Sequence, residues 1–294
     1  MISFDLLAQA VVGGLLLGLI YGAMALGLSI TMGVLQVINV AHSTFVILGS
    51  FGAYFFLNQL GLDPLLSVLP AVPIFFVLGM LVERTVVRRL ADAPQEVGLL
   101  VLFGLMVVLE SVMVLLWTTD TRAVTSSIYG GQAITVGPLR LTITRLAAGA
   151  MALVAIAAVH LFLTRSLTGK AIRAIGQERD AASIMGIKVG RLIGLVFGLG
   201  ISMAGVGGIA LAMVFPFAPQ DHVRWLAWAF LIVVIGGLGS VGRTLGAGLF
   251  VGVVESLSGI LFPFAYVYII LYAVLVGALV VRREGLVSVQ ARTI

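Results

Sequence analysis

Apolar runs of about twenty residues recur along the whole chain, and each is as long as a helix must be to cross ~30 Å of hydrocarbon at ~1.5 Å per residue. No other feature narrows the possible folds as far. Hydrocarbon offers no hydrogen-bond partner to a peptide group, so such runs must satisfy their backbone internally, as helices. The rest of the composition agrees. Of 294 residues, 61% are hydrophobic and only 10% charged, against roughly 25% charged in soluble domains. A water-soluble globule is excluded, and an all-α polytopic membrane protein is the expected fold class. There is no cysteine, which excludes disulfides and any thiolate-based metal or redox chemistry.

The runs fall at 6–31, 36–57, 65–82, 97–117, 141–163, 192–214, 225–241, 245–262 and 265–281. That gives eight or nine crossings, the uncertainty lying at Gly33 to Asn39 and at Gly236 to Gly248, where glycines, Gln36 and Asn39 interrupt the runs. Broken or re-entrant helices are expected there. The first run has no basic flank before it and no small-residue cleavage site after it, so it reads as a retained helix and not a signal peptide. With no linker or low-complexity stretch, residues 1–294 read as one transmembrane domain.

Orientation follows from the basic residues. Thirteen of the seventeen (Arg84, Arg88, Arg89, Arg165, Lys170, Arg173, Arg179, Lys188, Arg191, Arg243, Arg282, Arg283 and Arg292) fall on one side of a nine-span arrangement. Arg122, Arg140, Arg145 and Arg224 fall on the other. The positive-inside rule places the first set in the cytoplasm, with the N-terminus outside and the C-terminus inside. The net charge of +5 therefore reports orientation and not nucleic-acid binding.

Enzymatic machinery is missing from the sequence. No phosphate-binding Gly-x-x-x-x-Gly-Lys-Ser/Thr loop and no His-Glu-x-x-His occurs, and His42, His160 and His222 are too scattered to suggest a metal site. The run Gly236 to Gly242 follows an apolar span and not a strand, which argues against a dinucleotide fingerprint. Six residues from Gly27 to Met32 echo Gly198 to Met203, as an internal duplication would. Gly13, Gly14, Gly18 and Gly22 fit close helix packing.

The loop 164–191 is the most distinctive segment. It mixes charges with alanines, and Ile184, Met185 and Ile187 follow Asp180 and Ala181 by one to two turns. On spacing alone it is either a solvated amphipathic connection or a short helix that docks in another protein's groove. Within the spans, Glu110 and Glu255 stand out, because a carboxylate in hydrocarbon costs about 2.5 kcal/mol or more and must face an interior, a cavity or a partner. No Lys or Arg lies near them in the spans, so polar contacts or protonation, and not an ion pair within this subunit, are expected to serve them. Asn39, His42 and Ser43 sit at a helix interruption, where they either cap freed backbone groups or face a path.

Three motifs in this order resemble the integral-membrane permease subunit of bacterial ABC importers for branched-chain and other hydrophobic amino acids. They are Gly33-Val34-Leu35 with Asn39-Val40-Ala41-His42, the Gly176 to Ile187 loop, and Gly236-Gly237-Leu238-Gly239-Ser240 followed by Glu255-Ser256. The resemblance covers nearly the whole chain, and the loop and glycine run are also similar to sugar-importing permeases of the same broader group.

The resemblance implies a multi-pass protein of the bacterial inner membrane that is not itself an enzyme. It would work with a second, homologous permease subunit, two cytoplasmic ATPases and an extracytoplasmic substrate-binding protein. The chain would bind no cofactor of its own, ATP being used by the ATPase partner. Gly176, Glu178, Arg179, Asp180, Ala181, Ala182, Gly186 and Ile187 would form the coupling helix. Asn39, His42, Ser43, Glu110, Gly237, Gly239, Ser240 and Glu255 are the candidates for the translocation path. Alternatives are an ABC permease for urea, amides, sugars or nucleosides, or a proton-coupled carrier or channel, which buried carboxylates would also suit.

Overall fold

A computed structural model describes residues 3–90, 93–126 and 128–281. The expected cytoplasmic Arg282, Arg283 and Arg292 lie outside the described residues. The described residues are mostly helical, with one small hairpin among them. The elements are α1 (Phe4–Leu35), α2 (His42–Leu60), α3 (Pro64–Thr85), α4 (Gln95–Trp117), β1 (Ala133–Val136), β2 (Leu139–Thr142), α5 (Ile143–Arg165), α6 (Leu167–Gln177), α7 (Arg179–Ile184), α8 (Val189–Val214), α9 (His222–Gly236), α10 (Val241–Leu261) and α11 (Phe264–Val281).

All nine apolar runs are helices. Seven of the described helices are long and apolar enough to cross a membrane unaided. α9, with 15 residues, and α11, whose described apolar stretch is Tyr266–Val280, are shorter. Contacts between distant segments sort the helix ends onto two faces. On one, Gln9 makes two hydrogen bonds to the backbone of Arg140 at the hairpin, 2.6 and 2.8 Å, Asp63 meets Tyr129, and Arg122 pairs with Phe217. On the other, Gly33 lies against Gly239 and Gly176, and Arg88 Nη2 donates to the Gly190 carbonyl at 3.4 Å. α1, α3, α4, α5, α8, α9 and α10 run between these hairpin and loop faces.

The interruption expected near Gly33 to Asn39 is a break and not a re-entrant turn. α1 ends at Gln36, a non-glycine residue at φ 57°, and residues 37–40 leave it without helical structure. α2 then starts beside the middle of α1, with His42 Nε2 2.9 Å from the Met24 carbonyl, and continues to the hairpin face. The imidazole Nε2 therefore carries the proton, because a carbonyl can only accept.

The core is built on α1 and α8, which are apolar all round and are almost wholly buried over residues 20–32 and 196–213. Small residues let them meet at backbone distance. A Cβ on Gly27 would strike the Gly200 carbonyl, and one on Gly18 would come 2.7 Å from the Gly248 carbonyl oxygen of α10. The echoed segments Gly27 to Met32 and Gly198 to Met203 thus pack on each other. Without a hydrophobic difference between lipid and side chain, such close packing is what holds membrane helices together. On the hairpin face a polar latch adds to it. Asp63 caps α3 by accepting from Leu65 N at 3.0 Å, and also accepts from Ser126 Oγ and, at 2.9 Å, from Tyr129 Oη.

Candidate coupling loop and translocation path

The loop 164–191 folds into two short helices on the loop face. Ser166 caps α6 by accepting from Gly169 N at 2.8 Å, and Gly169 itself sits so close to Leu163 that a Cβ would clash with backbone. Gly176 rests near the Gly33 carbonyl of α1. Glu178 adopts extended geometry between α6 and α7, and Arg179, Asp180 and Ala181 are exposed.

α7 ends where Gly186 takes φ 81°, a conformation that costs glycine little. Ile187 N donates to the Ala182 carbonyl at 3.1 Å and Gly186 N to that of Ser183 at 3.0 Å. This paired closure is a Schellman motif. It turns Ala182 inward, at 5% exposure, and leaves Ile184 and Met185 at 86% and 82%. Two large apolar side chains thus stand clear on a short charged helix. Sequence spacing grouped Ile184, Met185 and Ile187 as apolar but could not tell that Ala182 faces inward.

At the start of α2, the side chains of Asn39, His42, Ser43 and Thr44 are all nearly solvent-free. Both amide atoms of Asn39, Nδ1 of His42 and the hydroxyls of Ser43 and Thr44 have no hydrogen-bond partner among the described residues. Each such group is destabilising by about 1–3 kcal/mol, and native cores pair nearly all of them.

Gly237, Gly239 and Ser240 form the α9–α10 turn, with Gly237 at φ 79° and Gly239 at φ 69°. The turn is bound to α1. Gly239 N donates to the Ser29 carbonyl at 3.0 Å, Ser29 Oγ donates to the Gly237 carbonyl at 3.3 Å, and Thr244 Oγ1 lies 3.0 Å from Ser29 Oγ.

The two intramembrane carboxylates both have partners. Glu110 of α4, 31% exposed, has its Oε2 3.0 Å from Nε2 of buried His222, at ion-pair distance but without hydrogen-bond alignment. The expectation looked only to Lys and Arg for an ion-pair partner; the structure instead sets a histidine, the first residue of α9, at that distance. Glu255 of α10 accepts from Trp228 Nε1 at 3.1 Å. Around it the Arg224 guanidinium lies over the rings of Trp225, Trp228 and Tyr268, at 4.8, 5.7 and 5.5 Å, an arrangement favourable to a cation near apolar surface. Sequence reasoning missed His222, Arg224 and Trp228 as members of these groups. The spacing Arg224-Trp225-x-x-Trp228 on one helix is the signal that could have found the last two.

Long apolar helices set between two faces, with an exposed helical loop on one of them and polar groups between the spans, fit a membrane transport subunit. Residues 10–279 match the family described as branched-chain amino acid transport system / permease component, and the chain belongs to that family. It is a permease subunit of an ABC importer. It is 27% identical to the high-affinity branched-chain amino acid transport system permease protein LivH of Salmonella typhimurium and 26% to LivH of Escherichia coli, in both cases over 95% of each chain. To the corresponding permease protein BraD of Pseudomonas aeruginosa it is 25% identical, again over 95% of each. No solved structure matches the chain.

Proposed function

We propose that the substrates of this permease are branched-chain amino acids. Relatives named for that transport, covering 95% of the chain, support the reading. The subunit works beside a second, homologous permease, two cytoplasmic ATPases that hydrolyse the ATP, and an extracytoplasmic substrate-binding protein, in the bacterial inner membrane. Its loop face is cytoplasmic and its N-terminus outside, a reading supported by the positive-inside rule for the basic residues Arg84, Arg88, Arg89, Arg165, Lys170, Arg173, Arg179, Lys188 and Arg191 near that face.

One observation carries the coupling assignment: Ile184 and Met185 stand exposed at the end of a capped helix. Two bare apolar side chains on a charged segment are what a helix offers to a groove in a partner. The residues Gly176, Glu178, Arg179, Asp180, Ala181, Ala182, Gly186 and Ile187 build and hold that helix. The unpaired groups of Asn39, His42, Ser43 and Thr44 support a place for the α2 start on the path, where water or substrate would satisfy them once the subunit opens. Glu110 and Glu255, both partly exposed at membrane depth, belong beside that path. Gly237, Gly239 and Ser240 anchor the turn that holds α9 and α10 against α1.

Copurification tests the coupling assignment. Ile184→Glu with Met185→Glu should insert normally and lose the ATPase chain from the purified complex. Ala182→Glu, in contrast, should also destabilise the loop itself, since it buries a charge. Retention of a stoichiometric ATPase by the double variant would remove the assignment.

A further inference from the structure

At the loop face, α3 and α8 part to leave a cavity of about 260 Å³ lined by Met80, Glu83, Arg84, Arg88, Arg191 and Gly194. Its charge is unbalanced. Glu83, 2% exposed, is held by Arg88 through Nε at 3.2 Å and Nη2 at 3.0 Å. Gly194 makes room for that carboxylate, since a Cβ there would come 3.1 Å from Glu83 Oε2. One acid thus fixes one arginine, while Arg84 and Arg191, both exposed, have no carboxylate at ion-pair distance among the described residues. Three guanidiniums against one carboxylate leave the cavity with an excess of two positive charges.

The surroundings say what kind of anion fits. From Arg84 the same side of α3 continues through Leu81, Val77 and Ile74, at helical spacings of three and four, and these are 55%, 64% and 52% exposed. Met80 at the cavity edge is 38% exposed. The stripe runs from the arginines about 15 Å into the bilayer, at 1.5 Å per residue. Two guanidiniums without a carboxylate partner among the described residues, beside an exposed apolar helix face, match a phosphate that carries acyl chains. Guanidinium binds phosphate oxygens in a bidentate fork, and basic pockets between spans at a cytoplasmic surface take anionic headgroups.

We propose that this cavity between α3 and α8 binds the headgroup of an anionic phospholipid, with Arg84 and Arg191 on the phosphate and the acyl chains along Met80, Leu81, Val77 and Ile74. Arg88 is the positioning residue, oriented by Glu83. A lipid bound there would tie α3 to α8 at the base of the α7–α8 connection, next to the loop that carries Ile184 and Met185.

The full-length permease is placed in nanodiscs of dioleoylphosphatidylcholine containing a minor fraction of dioleoylphosphatidylglycerol, and the phosphatidylglycerol retained after detergent washing is counted by native mass spectrometry. Wild type should retain a tightly held phosphatidylglycerol in preference to phosphatidylcholine. Arg84→Gln with Arg191→Gln should bind it roughly twenty-five-fold more weakly, at about fivefold per arginine. Arg89→Gln, outside the cavity, should bind as wild type does, and Arg84→Lys with Arg191→Lys should recover part of the loss. Equal retention by wild type and the Gln variant would overturn the proposal, as would an equal loss in Arg89→Gln. Displacement of the lipid by millimolar inorganic phosphate would reassign the cavity to a free anion. Loss of the copurifying ATPase with lipid retention unchanged would reassign it to protein docking.

Discussion

His222 Nε2 lies 3.0 Å from Glu110 Oε2, joining the first residue of α9 to α4 at membrane depth. Glu255 instead accepts a hydrogen bond from the indole of Trp228. Each carboxylate therefore has a partner that a neutral amide of the same size can also meet, and ATP-driven transport needs no titrating proton carrier. Glu110→Gln and Glu255→Gln should retain substantial uptake. Glu255→Leu should lose assembly or transport, because the buried Trp228 indole left unpaired costs about 1–3 kcal/mol, and Glu110→Leu should do so by setting an apolar side chain against the buried His222 imidazole. Loss of uptake in a Gln variant with normal assembly and ATPase binding would favour proton coupling instead.

The meeting of α1 with α8 allows a packing test. Gly27→Ala sets a methyl group against the Gly200 backbone, which cannot rotate away as a side chain would. The expected loss is about 1–3 kcal/mol of stability, as for other overpacked cores. Gly104→Ala in α4, with nothing within 4 Å of the added carbon, should be neutral or slightly stabilising, since alanine is the better helix former. Thermal unfolding in detergent measures both; equal midpoints would refute the close approach.

The hairpin-face latch has a pH signature. Burial, reinforced by the Asp63 carboxylate that accepts its hydrogen bond, pushes the Tyr129 phenol well above its ordinary value of 10.0. A group whose pKa is raised on folding stabilises fully below its unfolded value and loses that contribution as pH rises beyond it. Wild type should therefore lose stability above pH about 10 more steeply than Tyr129→Phe, which has no phenol to ionise. Parallel pH profiles for the two proteins would show that the latch contributes nothing to folding.

With no native cysteine, single-cysteine labelling reads the orientation directly. Thr125→Cys should react with an impermeant maleimide in intact cells, and Ser183→Cys only after permeabilisation. The reverse pattern would invert the orientation.

Much of this architecture is legible in the sequence because lipid leaves an apolar run few choices: every one of the nine runs is a helix. The break after α1 was legible as a place, through Gly33, Gln36 and Asn39, but not as a form. That α2 begins beside Met24 depends on a contact between His42 and a carbonyl 18 residues away, which no local pattern encodes. The site was harder still. Ser29 and Gly239 are 210 residues apart, and Glu110 and His222 stand on different helices. What makes Ser29 and Gly239 partners is the close packing of α1 against the α9–α10 turn, set by glycines such as Gly33 whose role shows only when the opposing backbone is in view. Ala182 shows the same limit at short range, because the Schellman closure at Gly186, and not helical periodicity alone, decides which side of α7 faces out.

The most direct measurement of the central claim is leucine uptake into proteoliposomes holding this chain with its copurified partners. The substrate-binding protein is supplied on the hairpin side and ATP on the loop side. The account predicts uptake that requires ATP and the binding protein, persists when the membrane potential and proton gradient are collapsed, and is abolished by Ile184→Glu with Met185→Glu. Uptake that proceeds without ATP and stops when the proton gradient is dissipated would contradict it.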